Sequence, residues 1–124
     1  MAIRIEHIAL WARDLERVCA FYADLGAIIG PLYRNERSGF SSRFLTWEGG
    51  GARLEVMTRA DIAQRGPATL GWAHVALSLG SEQAVDEAAA SLAESVVDGP
   101  RRTGDGYYEC VVLDPEGNRV ELTV

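Results

Sequence analysis

The stretch "CVVLDPEGNRVELT", Cys110 to Thr123, reads as a strand, a tight turn and a second strand. Gly117 falls in the turn, where a positive φ comes easily only to glycine. After the turn the side chains alternate. Val120 and Leu122 take one face, and Arg119, Glu121 and Thr123 take the other. The same plan occurs earlier in the chain. "FLTWEGGGARLEVM", Phe44 to Met57, aligns on it without a gap, setting Gly51 on Gly117, Arg53 on Arg119 and Glu55 on Glu121.

The likeness extends outward from these hairpins. "IEHIALWA", Ile5 to Ala12, matches "WAHVALSL", Trp72 to Leu79. Each carries one histidine in an alternating strand, with Ile8 and Leu10, or Val75 and Leu77, on the opposite face. A helix follows each strand. In "DLERVCAFYADLG" Asp14 is the expected N-cap and Gly26 the stop, with Leu15, Val18, Tyr22 and Leu25 as the apolar stripe. In "SEQAVDEAAASLAE" Ser81 caps a stripe of Val85, Ala88, Ala89 and Leu92. The interval from histidine to glutamate differs by a single residue between the copies. The chain is therefore a duplicated βαβββ module of the α+β class, with sheets packed under helices. The first module takes about residues 1–58, the second about 72–124, and together they make one domain. Residues 59–71 form a linker that can carry a short helix, and residues 30–43 mix a strand with a polar loop.

Composition narrows the function. The 124 residues are 48% hydrophobic and 24% charged, with a net charge of −6, as in an ordinary globular protein. The acidic balance argues against nucleic acid, whose phosphates require clustered Lys and Arg. No apolar run approaches the length of a membrane span, and the charged strand at the N-terminus is not a secretory signal. Cys19 and Cys110 are far apart and form neither a disulfide framework nor a CxxC metal site. Cys19 reads as helix packing. A cytoplasmic setting is expected.

His7, Glu55, His74 and Glu121 all lie on the face turned away from the helices, where a twisted sheet lets them converge. A lone strand histidine is more often structural than a ligand, and a lone strand glutamate is usually solvated. Here, however, the chain has just two histidines. Both occupy equivalent positions in the repeat, as do the two glutamates. Two imidazoles and two carboxylates in a half-buried cup need neutralising charge. One divalent metal per site supplies it, with Ni, Zn or Co first and Mn or Fe next. Four protein ligands on a six-coordinate ion leave positions for water or substrate, the open geometry of a catalytic site.

These residues resemble the vicinal oxygen chelate superfamily, which includes glyoxalase I, fosfomycin-resistance proteins, bleomycin-binding proteins and extradiol dioxygenases. "IEHIALWARDLERVCAFY", "ARLEVM", "WAHVALSL" and above all "DPEGNRVEL" carry the resemblance over nearly the whole chain. It implies an open, barrel-like mixed sheet around one metal, with the helices outside. The order His7, Glu55, His74, Glu121 is most like glyoxalase I, and implies lactoylglutathione lyase chemistry through a metal-stabilised enediolate. In that reading Glu121 moves the proton and Glu55 is its symmetric partner, although the repeat does not say which of the two acts. The resemblance also implies a homodimer, with a site either inside one chain or shared between two.

The chain departs from the glyoxalase I pattern in two places. Trp11 replaces the arginine that grips a glutathione carboxylate, and Arg59 replaces an asparagine after the first glutamate. Substrate-binding candidates are Trp11, Phe40, Arg43 and Arg59, with Arg101 and Arg102 in a loop "PRRTGDGYY" before the last hairpin. The expected activity is thus a metal-dependent lyase or isomerase acting on a small molecule, whether or not that is a glutathione hemithioacetal. Other members of the superfamily define the alternatives: a drug-binding protein without catalysis, an antibiotic-modifying thiol transferase, an epimerase or a dioxygenase.

Overall fold

A computed structural model of the chain describes residues 2–66 and 68–124. It divides into two compact units, Met1–Arg65 and Gly66–Val124. The first contains β1 (His7–Trp11), α1 (Leu15–Ala23), β2 (Ile28–Ile29), β3 (Tyr33–Arg34), β4 (Ser41–Thr46) and β5 (Arg53–Thr58). The second contains β6 (His74–Ser78), α2 (Glu82–Ser91), a 3₁₀ turn at Ala93–Ser95, β7 (Val96–Arg102), β8 (Tyr108–Leu113) and β9 (Arg119–Thr123). The class is α+β. Among the described residues no helix is long and apolar enough to cross a membrane.

Each unit holds one mixed sheet, and neither closes into a barrel. In the first unit the order is β1-β5-β4-β2, with β3 also on β4; in the second it is β6-β9-β8-β7. β1 runs parallel to β5 and β6 parallel to β9, and the other pairs are antiparallel. In both, the helix opens the long connection between the two parallel strands, and the antiparallel strands complete it.

Both helices begin where a side chain satisfies a free N–H. Asp14 accepts from the Arg17 amide at 3.1 Å, and Ser81 from the Ala84 amide at 3.1 Å. Gly26, with φ +88°, ends the turn after α1. The buried stripe of α1 is Leu15, Val18, Cys19 and Tyr22, packed over Leu45, Leu54 and Val56 of the sheet. Val85 and Ala89 of α2 are buried likewise, on a sheet face of Cys110, Val112, Val120 and Leu122. Each buried Val or Leu contributes about 1.5–3 kcal/mol. This packing fixes which face of each strand is left over. Burial pushes the Cys19 thiol up to about 11 and raises that of Cys110, so both free cysteines are inert packing groups.

Three sequence expectations change. The gapless alignment of the two hairpins fails in the first strand: Phe44 faces Glu55 across the ladder, whereas Val111, not Cys110, faces Glu121. The turn between β4 and β5 is one residue longer than that between β8 and β9, and one residue reverses every side chain. Arg101 and Arg102 belong to β7 rather than to a loop, because the strand resumes past Pro100 after register shifts on either side of Asp98. The linker residues that are described form turns and no helix; Pro67 lies outside them.

Candidate metal-binding half-sites

In the first unit, β1 and β5 set His7 beside Arg53, Ala9 beside Glu55 and Trp11 beside Met57. Leu54 and Val56 point into the core, so Arg53, Glu55 and Met57 point away from the helix. His7 and Glu55 thus meet diagonally on the open face. The Nε2 of His7 lies 3.7 Å from Glu55 Oε1, with the glutamate side chain 15% exposed. Phe44, opposite Glu55 on β4, meets the His7 ring edge-on at 5.2 Å and supports it from the other side.

Glu6 holds the far side of the imidazole, its Oε1 3.0 Å from His7 Nδ1. Arg53 binds the same carboxylate through Nε at 3.0 Å and through a second, shorter bond from Nη2, while its guanidinium lies 4.0 Å over the Phe44 ring. The Arg53 bonds, then that of His7, hold the Glu6 carboxyl down at about 2. An ionised Glu6 draws the ring proton to Nδ1 and leaves Nε2 as the free donor nitrogen, the arrangement found behind metal-binding histidines.

The second unit repeats the pair. β6 and β9 set His74 beside Arg119 and Ala76 beside Glu121, and His74 Nε2 lies 3.2 Å from Glu121 Oε2. The Glu121 side chain is 24% exposed. Ala73 stands where the first unit has Glu6, so this histidine has no matching carboxylate behind it. Glu109, facing Thr123 on β8, shares the face of Glu121. Burial, then the hydrogen bond and charge of Glu121, raise the Glu109 carboxyl above its usual range.

The donor chemistry of each pair fits a divalent metal. An ion about 2.0–2.2 Å from each atom, at an angle of about 90–110°, holds imidazole nitrogen and carboxylate oxygen about 3.0–3.5 Å apart. The two pairs lie close to that range. Among the described residues neither unit by itself gathers three His, Cys, Asp or Glu side chains fit to hold a metal. Each offers one imidazole nitrogen and one carboxylate.

The remaining candidates separate by face. Trp11 is on the open face, 40% exposed, with Phe40 edge-on at 6.2 Å and the Arg59 guanidinium 4.7 Å over its ring. Arg101 is on the open face of the second unit, beside Glu109, and is bound to Asp98 at 2.9 Å. Arg43 lies on the helix side, bonded to Glu16 and to the Gly30 carbonyl, each at 2.8 Å. Arg102 also faces the helix side, 2.9 Å from Glu82 at the start of α2. The parity of the strands puts these two arginines away from the glutamates. Glu6 and Glu109 were not among the candidates. Strand alternation placed Glu109 with Val111 and Leu113, but the misaligned register hid that.

Comparison with known proteins agrees with this architecture. A family model described as Glyoxalase/Bleomycin resistance protein/Dioxygenase superfamily matches residues 4–122. A glyoxalase family protein from Enterococcus faecalis superposes with a TM-score of 0.79 at 23% identity, over 97% of this chain and 96% of that one. A glyoxylase/bleomycin resistance protein/dioxygenase domain from Frankia gives 0.82 at 16% identity, over 100% and 98%. The trypanothione-dependent glyoxalase I of Leishmania major gives 0.77 at 20% identity, over 98% and 86%. At such identities the likeness is one of fold. None of the curated proteins matches the chain in sequence.

Proposed function

Since the chain belongs to the Glyoxalase/Bleomycin resistance protein/Dioxygenase superfamily, we propose that it is a divalent-metal-dependent lyase or isomerase of glyoxalase I type. His7 and Glu55 of one module, with His74 and Glu121 of the other module in the same chain or in a second copy, would hold the ion. The observation that carries this reading is the repeated histidine–carboxylate pair, at 3.7 Å and 3.2 Å on the open face of two sheets. A structural role requires neither the repetition nor the pairing. Ni, Zn and Co suit such a nitrogen and oxygen donor set best, with Mn or Fe next.

The metal, when bound, supplies a Lewis acid that draws electrons from a substrate bearing two adjacent oxygens. The chain supplies the base. Glu121 takes the proton from the carbon beside the substrate carbonyl and returns it to the neighbouring carbon, so that substrate and product are isomers. We assign this step to Glu121 rather than Glu55 because its side chain is the more exposed of the two, 24% against 15%, and so is the better placed to meet a substrate. Glu55 is half-buried beneath Phe44 and is the better fixed ligand.

A homodimer suits the pattern of exposure. Ile3 and Ile5 lead into β1 with 85% and 67% exposure, and Leu70 and Trp72 lead into β6 with 103% and 78%. Such apolar surface beside the half-sites is what a second copy would cover.

The deciding experiment is metal content per chain after purification without affinity tags or chelators, followed by a proton-exchange and hemithioacetal isomerisation assay. One tightly held ion, weakened by Glu55→Gln or Glu121→Gln, with turnover lost in Glu121→Gln, is the expected result. No metal, and no uptake of added ions, would overturn the reading.

A further inference from the structure

The two modules keep the same residues at the metal-binding positions and differ in the row beside them. In the first unit, the register places Trp11, Met57, Ser42 and Tyr33 side by side across four strands, all on the open face. Phe40, just before β4, fills the row with rings: it lies edge-on to Trp11 at 6.2 Å and tilted against Tyr33 at 6.1 Å. The matching row of the second unit is Ser78, Thr123, Glu109 and Arg101. One row is aromatic and the other is polar.

The aromatic row also has a defined distance and charge. It is two residues along β5 from Glu55, about 6.6 Å at the usual strand rise. Between His7 and Trp11 the open face carries only Ala9, whose methyl leaves the floor low. Arg59 stacks 4.7 Å over Trp11, and its Nε lies 2.6 Å from Asp61, so the cation bracing the indole is neutralised in place. The shelf therefore presents aromatic surface whose one bracing cation is already paired. Trp11 remains 40% exposed and Tyr33 56%.

We propose that this shelf binds an uncharged aryl group of the substrate, attached directly to the carbon that carries one of its two adjacent oxygens. The row lies two residues past Glu55 on β5 and four past His7 on β1, which leaves room for an aromatic ring beside the oxygens, and ring-on-ring contact favours aryl over alkyl groups. Trp11 and Phe40 are specificity residues, and Arg59 with Asp61 positions Trp11. The substrate class is an aryl-substituted α-hydroxy carbonyl compound. This rests on the metal reading above for the position of the oxygens, but not for the shelf itself.

Fluorine NMR on the folded chain tests it with three probes: 4-fluoromandelate, 3,3,3-trifluorolactate and 4-fluorobenzyl alcohol. Metal-loaded protein should bind fluoromandelate about fivefold or more tightly than trifluorolactate. Trp11→Ala should erase that margin without changing trifluorolactate affinity, and Trp11→Phe should keep most of it. The benzyl alcohol, which lacks the second oxygen, should bind chelator-stripped protein and lose binding in Trp11→Ala. Equal affinity for the two acids, or a margin that survives Trp11→Ala, overturns the proposal. If the chain holds no metal, the metal reading fails alone, and the benzyl alcohol decides the shelf: binding lost with Trp11 supports it, and no binding sinks it.

Discussion

Glu6 lies 3.0 Å from the Nδ1 of His7, and His74 has Ala73 in the corresponding place. The duplication is thus complete in the two histidine–glutamate pairs and incomplete behind them. Arg53 fixes Glu6 through two bonds, and strand β5 fixes Arg53 beside His7. The first imidazole is therefore held from both sides by carboxylates, and the second by Glu121 on one side.

Replacing Glu6 with glutamine keeps its size and removes its charge. The expected effect is a loss of metal affinity of about 10–100-fold, the usual consequence of removing the group behind a ligating histidine. Competition against a chromogenic chelator measures it. Unchanged affinity would mean that the backbone orients His7.

Cys19 makes stability fall in alkali. It is fully buried, and its thiol is raised to about 11 from an ordinary value of 9.0. The folded form therefore binds the proton more tightly than the unfolded form. Its contribution is complete below about pH 9 and is lost as the pH rises towards about 11. Two pH units correspond to about 2–3 kcal/mol. Urea unfolding at pH 8 and pH 10.5 should show the fall, and Cys19→Ala, although less stable at pH 8, should show a smaller slope.

Gly30 lies where β2 ends and touches the strand opposite. Its amide donates to the Phe44 carbonyl at 2.9 Å, and a Cβ there would stand 2.7 Å from the same oxygen. Backbone on both sides cannot yield cheaply, so Gly30→Ala should destabilise by about 1–3 kcal/mol. Gly104, with open space around it, is the control: Gly104→Ala should stay within about 0.5 kcal/mol. Denaturant midpoints compare the two.

Much of this was legible in the sequence because the signals were periodic. Alternation alone put Ile8, Leu54, Val75 and Val120 on the helix side and His7, Glu55, His74 and Glu121 on the other, and the cap residues Asp14 and Ser81 sit where the pattern placed them. Features that depend on one residue more or less were not legible. The longer turn before Arg53 shifted the alignment of β4 on β8 and concealed that Phe44 shares the face of Glu55. Arginines misled because type says nothing of facing: Arg43 and Arg102 are odd-numbered steps away from the open face and tie the helices to the sheets. Glu6 escaped notice because its role comes from a neighbour in space, Arg53, distant in sequence.

Asp114 fixes the turn that carries Glu121. It is 4% exposed, and one of its oxygens, Oδ1, accepts from the Glu116 amide at 2.9 Å, the Asn118 amide at 2.9 Å and the Asn118 side chain at 3.1 Å. The turn closes with a bond from the Gly117 amide to the Asp114 carbonyl, at a glycine of φ +85°. Asp114→Ala removes the acceptor and leaves backbone amides in a poorly solvated corner, with an expected loss of about 2–3 kcal/mol. Asp114→Asn retains one acceptor oxygen and should lose less. The two variants also separate stability from function. Because β9 starts at Arg119, one residue past this turn, a loosened turn lets Glu121 drift on its strand. Metal affinity at a temperature where both variants remain folded should then fall more for alanine than for asparagine. Equal affinities in the two would show that pairing with β6 and β8 holds Glu121 without help from the turn.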